Sequence, residues 1–598
     1  MTDAPSLRIA VLIDHVEADY HTEIICGVLR SASAARVRTL VVAGGWLGHL
    51  GGPPMTRNFV YDLLERAAVD GLVLLAGSLS NYSGLPRFNE WVAQFSRIPS
   101  VSIGVELPSL PTVRADNEHG VYAVVSHLIE KHKRHRIAML RGPVGAMEAE
   151  ARLRAYGKAL TDHGLALDER LIVQAGLDRH TGMAAAAQLL GHSRTTVARL
   201  DAIVAVNDEV AQGALEELKR RDIRVPEQVA VVGFDDSISA SSTTPPLTTV
   251  KQQVELQGYT AAQHLIEALL SGSRPKSTLL RSEMVLRASC GCVAPLASDT
   301  RNIGSGASVR VSYLSLMNER KPLIAAELAR TAAGRMLQAS GWEARLIDAL
   351  VRDVVTPDSK LVRAFEILAR RQVSVGASMM ACHDVLTTLR FQALSCTVSD
   401  RDSRSRLEDL FQEVRLVLAR MGVDVEKHRQ GVLNLRLRII TRACQALVGS
   451  GTLEELGKVL EEQLPALGIR SFSVACFEDE SLRTLVPIAK SSRGLWRPQS
   501  PGLPAESLGL DPVLEQEGVI VIEPLEFEAT PLGIAAFGWG AETPAHYEQL
   551  REALSQALFS AKRAPRGRAR AFGVVRDTSP ASAPEPLEPQ TRRSGLRL

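Results

Sequence analysis

Asp201-Ala-Ile-Val-Ala-Val-Asn-Asp-Glu-Val-Ala-Gln-Gly-Ala-Leu215 and the nearby Val225-Pro-Glu-Gln-Val-Ala-Val-Val-Gly-Phe-Asp-Asp236 decide how the first half of the chain is read. In each, a short run of Ala, Val and Ile without polar alternation ends in a pair of polar residues, Asn207-Asp208 or Asp235-Asp236. Such runs are strands covered on both faces, as in parallel sheets. Working outward, Leu7 to Ile13, Arg38 to Ala43, Gly71 to Ala76 and Arg136 to Leu140 have the same character. Helix-length stretches lie between most of them: Glu23 to Ser33, Asn117 to His132, Glu150 to His163 and Glu209 to Arg221. Strand–helix alternation implies right-handed βαβ crossovers in doubly wound sheets. About 280 residues of this pattern exceed one sheet of usual size, so two α/β lobes are expected.

In such sheets ligands bind beyond the carboxyl ends of the strands. Asn207 and Asp235 close two strands there, and Arg152 lies near the start of the helix after Leu140. An amide, a carboxylate and a forked guanidinium together can orient a polyhydroxylated or amphoteric small molecule. A second role is open to each: Asn207 and Asp208 suit a helix cap, and Asp236 a turn.

The chain has 598 residues, 45% of them hydrophobic, which predicts several ordinary globular domains. A formal net charge of +2 gives no global attraction to nucleic acid or anionic membrane. The start, Met1-Thr2-Asp3-Ala4-Pro5, has no secretory pattern, and no apolar run approaches the roughly 18 residues of a membrane span. Seven cysteines at irregular spacing do not form a disulfide framework. These features predict a soluble cytoplasmic protein.

Helical character dominates from about Val311 to Gln463, with Trp342, Leu346, Leu350 and Val354 spaced as one apolar stripe. A mixed segment follows, with strands near Ser471 to Phe477 and Leu532 to Gly538 and a helix from about Ala545 to Ala561. From Lys562 the chain is rich in Arg, Pro, Ser and Ala, a composition that predicts disorder.

Three stretches resemble the sensor domains of the LacI/GalR family in order and separation: Glu150-Ala-Arg-Leu-Arg-Ala-Tyr-Gly-Lys-Ala-Leu160, the Asp201–Leu215 stretch, and Val225–Asp236 continuing to Pro245-Pro-Leu-Thr-Thr-Val250. Asp116-Asn117-Glu118-His119-Gly120 and His127-Leu128 are weaker matches. The resemblance covers nearly 290 residues and implies a periplasmic-binding-protein-like type I fold over 1–292. It also implies a small-molecule effector, such as a sugar or nucleobase, and side-by-side homodimers. Carried over onto matching positions, it places Arg152, Asn207 and Asp235 in the pocket. His15, Tyr20, Ser78 and Asn81, in loops after the first and third strands, would line the other lobe's wall. With strand one at Leu7, the family's N-terminal helix-turn-helix is expected to be absent.

Leu464–Cys476 and Pro531–Gly538 with His546–Leu558 look like a GAF-like relay segment, and Ser289-Cys290-Gly291-Cys292 is similar to the sensor end of signalling proteins that contain one. The expected organisation is therefore a linker at 293–310, a helical connector at 311–440, a small α+β GAF-like domain at 441–561 and a tail at 562–598. No cyclase, kinase or DNA-reading motif follows, so the expected function is ligand-responsive regulation through a separate output protein. The rivals are a LacI-class DNA-binding transcription regulator and a cyclase- or kinase-type signalling protein, neither supported by a visible motif, and a periplasmic sugar-uptake protein, opposed by the missing secretory pattern and by the relay segment.

The remaining motifs carry less. Gly44-Gly-Trp-Leu-Gly-His-Leu-Gly-Gly52 lacks the Gly-Lys-Ser/Thr ending of a phosphate loop and reads as a flexible connection. Lys131-His-Lys-Arg-His-Arg136 reads as a solvated, favourably charged helix end rather than a phosphate or metal site. Cys290 and Cys292 have no second pair and no ligating histidine close in sequence, so structural thiols, with no metal or cofactor, are expected. His428 reads as a surface histidine and the arginines from Lys562 to Arg570 as a solvated tail.

Overall fold

The computed structural model describes residues 7–292, except 18, 49–53, 65–66, 68 and 192–199. Beyond these it describes 313–332, 341–356, 358–374, 379–397, 401–490, 502–508, 510, 517–540 and 545–563. The linker at 293–310, the tail from 564 and the end of the glycine-rich run after Gly48 lie outside the described residues.

β1 (Arg8–Ile13), β2 (Arg38–Ala43), β3 (Gly71–Leu74), β4 (Ser100–Ile103) and β5 (Thr112–Ala115) form the parallel sheet of a first lobe, in the order β5-β4-β3-β1-β2. β6 (Ile137–Arg141), β7 (Ile172–Gln174), β8 (Ala202–Ala205) and β9 (Ala230–Val232) form a second parallel sheet, ordered β7-β6-β8-β9. The unbroken apolar runs follow from burial on both faces: Ile9, Ala10, Val11, Leu12 and Ile13 are all fully buried.

Three short segments join the lobes. β5 passes through Asp116 to the helix Asn117–Glu130 of the second lobe, and the Asp116 side chain caps that helix by accepting from the His119 N–H. β10 (Thr249–Lys251) leads through Gln252 and Gln253 to the helix Val254–Ser271 on the first lobe. β11 (Thr278–Leu280), which pairs with β5, leads through Arg281 and Ser282 to β12 (Glu283–Val285), which pairs with β10. Helix Val254–Ser271 meets helix Asp19–Ala34 backbone to backbone. A Cβ on Gly27 would lie 2.0 Å from the Glu255 carbonyl oxygen, and one on Gly258 2.1 Å from that of Ile24.

The last strands do not stand apart as a small sheet of their own. β13 (Phe472–Phe477), β14 (Thr484–Lys490), β15 (Leu503–Pro504), β16 (Val519–Phe527) and β17 (Thr530–Gly538) continue the first lobe's sheet, making eleven strands in all. β16 pairs in parallel with β2, from Val519 opposite Thr39 to Ile522 opposite Val42. The physical reason lies in β2. Its side chains are apolar on both faces and its backbone groups would otherwise form an open edge. Val41 and Val521 share one core, Leu40 and Ile522 the other.

Between the two ends, the helices Tyr313–Ala332, Trp342–Val355, Lys360–Ser374 and Met380–Ser395 pack with the front of a 48-residue helix, Arg401–Val448. The expected stripe of Trp342, Leu346, Leu350 and Val354 is buried there. The long helix runs unbroken across residue 440, where the sequence suggested a boundary, and Ile440, Ala443 and Leu447 join the core of the last segment. No helix among the described residues is long and apolar enough to cross a membrane.

Candidate functional site: the cleft between two lobes

The first lobe contributes a connected polar group at the carboxyl end of β1. Asp14 is 1% exposed; its carboxylate bonds His15 Nδ1 at 2.6 Å, His21 Nε2 at 2.9 Å and the Ser78 hydroxyl at 2.5 Å. Burial alone would raise the Asp14 pKa, but His21 and His15 hold it well below the ordinary carboxylate value. Burial pulls His15 down, yet the Asp14 charge and hydrogen bond leave its pKa raised; His21, more deeply enclosed, is lowered by that burial. Trp46 lies edge-on to His15, ring centroids 5.5 Å apart, with Tyr82 beyond it. Asn81 lies in the turn after Ser78, its backbone N–H bonded to the Ser78 carbonyl.

The second lobe presents Arg152, whose guanidinium is almost wholly buried. Its Nε donates to Asn117 Oδ1 at 2.8 Å, an Nη donates to the Val206 carbonyl at 2.7 Å, and the plane lies 3.8 Å from the Phe234 ring centroid. Asp235 stands 3.8 Å away and accepts from Gln252 Nε2 at 2.6 Å, which ties it to the crossover beside β10. Burial raises the Asp235 pKa well above the ordinary value; Arg152 opposes this, while Asp208 and Glu148 add to it. Asp235 and Asp236 both have positive φ, +119° and +59°. Asp236 is in the left-handed region that aspartate tolerates, whereas Asp235 lies outside it, so the backbone is strained at Asp235, where β9 opens into the cleft.

Glu148 carries the second lobe onto the first. Its Oε1 accepts from Asn117 Nδ2 at 3.3 Å, and its Oε2 would lie 2.8 Å from a Cβ on Gly77 and 3.5 Å from one on Gly104. The buried Tyr20 hydroxyl has no hydrogen-bond partner, and the charges bearing on it come from both lobes: Glu148, Asp235 and Arg152 from the second, Asp14 from the first. Gln252 Oε1 and His21 Nδ1 are likewise buried without a partner. Such atoms also occur elsewhere, as at Trp342 and Tyr313, but these three leave polar surface unsatisfied beside groups of both lobes. Two surface hollows of about 510 and 450 Å³ lie elsewhere, one along Asn434–Gln445 of the long helix, the other between Glu118 and Lys158 on the second lobe. Neither joins groups from two lobes.

Arg152, Asp235, Tyr20, Ser78 and His15 therefore come to one cleft from both sides. Asn207 is placed differently: its Oδ1 caps helix Asp208–Arg220 by accepting from the Val210 N–H, and its Nδ2 donates to the Leu177 carbonyl. Asp208 is fully buried and accepts from the Ser237 N–H and the Thr249 hydroxyl, so it pins the loop after β9. Asp236 is paired with Arg287 at 2.6 Å. Sequence reasoning missed Asp14, His21, Asn117, Glu148 and Gln252. Asp14 directly follows the first strand, the same signal that singled out Asn207 and Asp235.

Two further contacts join segments distant in the chain. The last helix, Ala545–Arg563, reaches the mouth of the cleft. Its Glu548 pairs with Arg57 at 3.0 Å and raises the His15 pKa alongside Asp14. The fold brings His127 and His132 to Cys290 and Cys292 across more than 150 positions of chain, a proximity that spacing cannot reveal.

Residues 125–290 match the family model described as a periplasmic binding protein-like domain. The chain is 32% identical over 222 residues to the HTH-type transcriptional regulator CelR of Thermobifida fusca, covering 37% of this chain and 63% of that protein. It is 29% identical over 293 residues to the HTH-type transcriptional repressor CytR of Escherichia coli (strain K12), covering 48% and 79%. The chain spans 59 to 63% of the length of the first curated relatives it matches. A solved transcriptional regulator CelR-cellobiose complex is similar at 25% identity and a TM-score of 0.40, covering 48% of this chain and 86% of that one.

Proposed function

We propose that this chain is a ligand-responsive regulatory protein that takes a small polar molecule into the interlobe cleft and passes lobe closure to a signalling partner through its last strands and helices. The observation that carries this reading is the unpartnered Tyr20 hydroxyl, set among Asp14 of one lobe and Glu148, Arg152 and Asp235 of the other. A polyol or nucleobase with donors and acceptors on opposite edges would satisfy both walls at once, favouring the closed arrangement by its differential affinity. Asp235 and Arg152 would orient it, Ser78 and His15 would face it from the first lobe, and Asn207 would offer its second amide N–H. Closure would turn on Asp116, Gln252–Gln253 and Arg281–Ser282. The names of the relatives are those of regulators, which supports a non-catalytic role, and the family habit of dimers supports a homodimer.

A thermal-shift screen of the full-length chain against sugars, including cellobiose, and nucleobases tests the reading. A saturable rise in melting temperature supports it; a flat response across the whole panel opposes it. The second reading, a transcription regulator that binds specific DNA, is favoured by the relatives' names. Mobility-shift titration on the gene's own upstream region against a scrambled duplex separates the two: a preference of about a hundredfold promotes the DNA reading.

A further inference from the structure

Four potential ligands converge on the far side of the second lobe from the cleft-facing Arg152. His127 stands in the last turn of helix Asn117–Glu130 and His132 just past its end. Cys290 ends the single turn Ala288–Cys290, and Cys292 follows Gly291. The two Nε2 atoms are 3.2 Å apart; Cys292 Sγ is 3.3 Å from His127 Nε2 and 3.4 Å from His132 Nε2; Cys290 Sγ is 3.9 Å from His127 Nε2. All four atoms lie within 4.8 Å of one another.

Hydrogen bonds do not account for this convergence. A ring nitrogen carries one proton or one lone pair in its plane, yet His127 Nε2 has three of these groups around it. One ion at the centre uses all four lone pairs together. With metal–nitrogen bonds of about 2.0 Å and metal–sulfur bonds of about 2.3 Å, a tetrahedral centre has edges of about 3.3 Å between nitrogens and about 3.5 Å between nitrogen and sulfur. The nitrogen–nitrogen separation of 3.2 Å is close to the first value, and the nitrogen–sulfur separations of 3.3, 3.4 and 3.9 Å bracket the second. Gly291 makes the arrangement accessible to the chain: its φ is +105°, and a Cβ there would lie 3.1 Å from His132 Nδ1. Only glycine lets the Cys-Gly-Cys turn bring both thiols to one point against that ring.

The geometry points to a Cys₂His₂ metal site formed by His127, His132, Cys290 and Cys292 that holds one zinc ion. Two thiolates and two neutral imidazoles balance a dication, and a closed four-ligand set leaves no position for a reacting water, as in structural zinc sites. The ion would tie the end of the helix that begins at the Asp116 crossover to the last described turn of the sensor half, from which the chain runs on towards the helix starting at Tyr313. It is a clamp at the exit of the second lobe.

The test uses the full-length chain without a histidine tag, stripped with chelating resin, given one equivalent of zinc, passed through gel filtration and analysed by mass spectrometry for metals. About one zinc per chain is expected, falling at least tenfold in the double variant His127→Asn, Cys292→Ser and unchanged in Cys382→Ser, whose thiol is buried in the helical bundle. Cobalt titration of the unmodified chain provides a readout that does not depend on a variant folding. It should give the visible bands of tetrahedral cobalt together with a near-ultraviolet thiolate charge-transfer band. Less than about a fifth of an equivalent of zinc retained by the unmodified chain, retention in the double variant equal to the original, or a cobalt spectrum lacking the thiolate band each overturns the assignment.

Discussion

The Arg152 guanidinium and the Asp235 carboxylate stand 3.8 Å apart, but neither is the other's main partner: Arg152 is held by Asn117 and the Val206 carbonyl, Asp235 by Gln252. Each side chain is fixed by the lobe or crossover behind it. The pair therefore faces the cleft preorganised, with bonding capacity to spare.

Because Arg152 fills two acceptors and covers the Phe234 ring, Arg152→Ala should destabilise the fold by about 2–4 kcal/mol, read as a lower urea midpoint. Arg152→Lys should recover only part of this, since an ammonium cannot reproduce the planar fork. Full recovery by lysine would show that the fork geometry is not needed.

Burial, with Asp236 adding to it, pushes the Asp208 carboxyl up to about 7. Between the usual carboxyl value near 4 and about 7, the folded chain keeps a proton that the unfolded chain has released. Stability contributed at this site is therefore present at low pH and lost as pH rises through that window, by an amount on the order of a few kcal/mol. Asp208→Asn keeps an acceptor for the Ser237 N–H and offers a donor to Thr249, so it should flatten this part of the pH profile. Urea melts at pH 5 and pH 8 on both proteins check it; parallel slopes in the two would count against it.

Helices Asp19–Ala34 and Val254–Ser271 touch at Gly27 and Gly258, and the second of them leads directly from the crossover at Gln252–Gln253. Gly258→Ala forces a methyl against the Ile24 carbonyl and should cost about 3 kcal/mol or more. Calorimetric melting of the full-length variant should show a lowered transition; an unchanged one would mean that the helices can separate freely.

The Thr39 N–H donates to the Gly518 carbonyl at 2.9 Å, the first bond of the β2–β16 junction. Peptides covering 38–43 should exchange hydrogen slowly in the full-length chain and much faster in a chain ending at Cys292, where β2 becomes an edge. Equal protection in both would mean that the junction contributes little to the order of β2.

The sequence showed the parallel strands well because each one, such as Arg38–Ala43, carries its own burial on both faces. Chain order also puts Arg152 and Asp235 beside strand ends, which is why both could be proposed from sequence. The sequence hid β16, where Glu523-Pro524 interrupts the apolar run; Pro524 lies past Ile522, the last residue paired with β2, so its missing N–H costs nothing there. It also hid the His–Cys cluster and Glu148's contact with Gly77, which depend on tertiary proximity between distant segments. The Asn207 cap was legible as chemistry, but only the structure shows both ends of its amide engaged.

The central claim, that the interlobe cleft binds a small polar molecule through both walls, is tested most directly by isothermal titration calorimetry of the full-length protein with the best ligand from the thermal screen. The same titration is then run on Asp235→Asn and, from the opposite lobe, Tyr20→Phe. The expected result is a loss of affinity of about tenfold or more in each folded variant, because each substitution leaves a buried partner unsatisfied. Unchanged affinity in both variants would contradict the account and place the ligand elsewhere on the molecule.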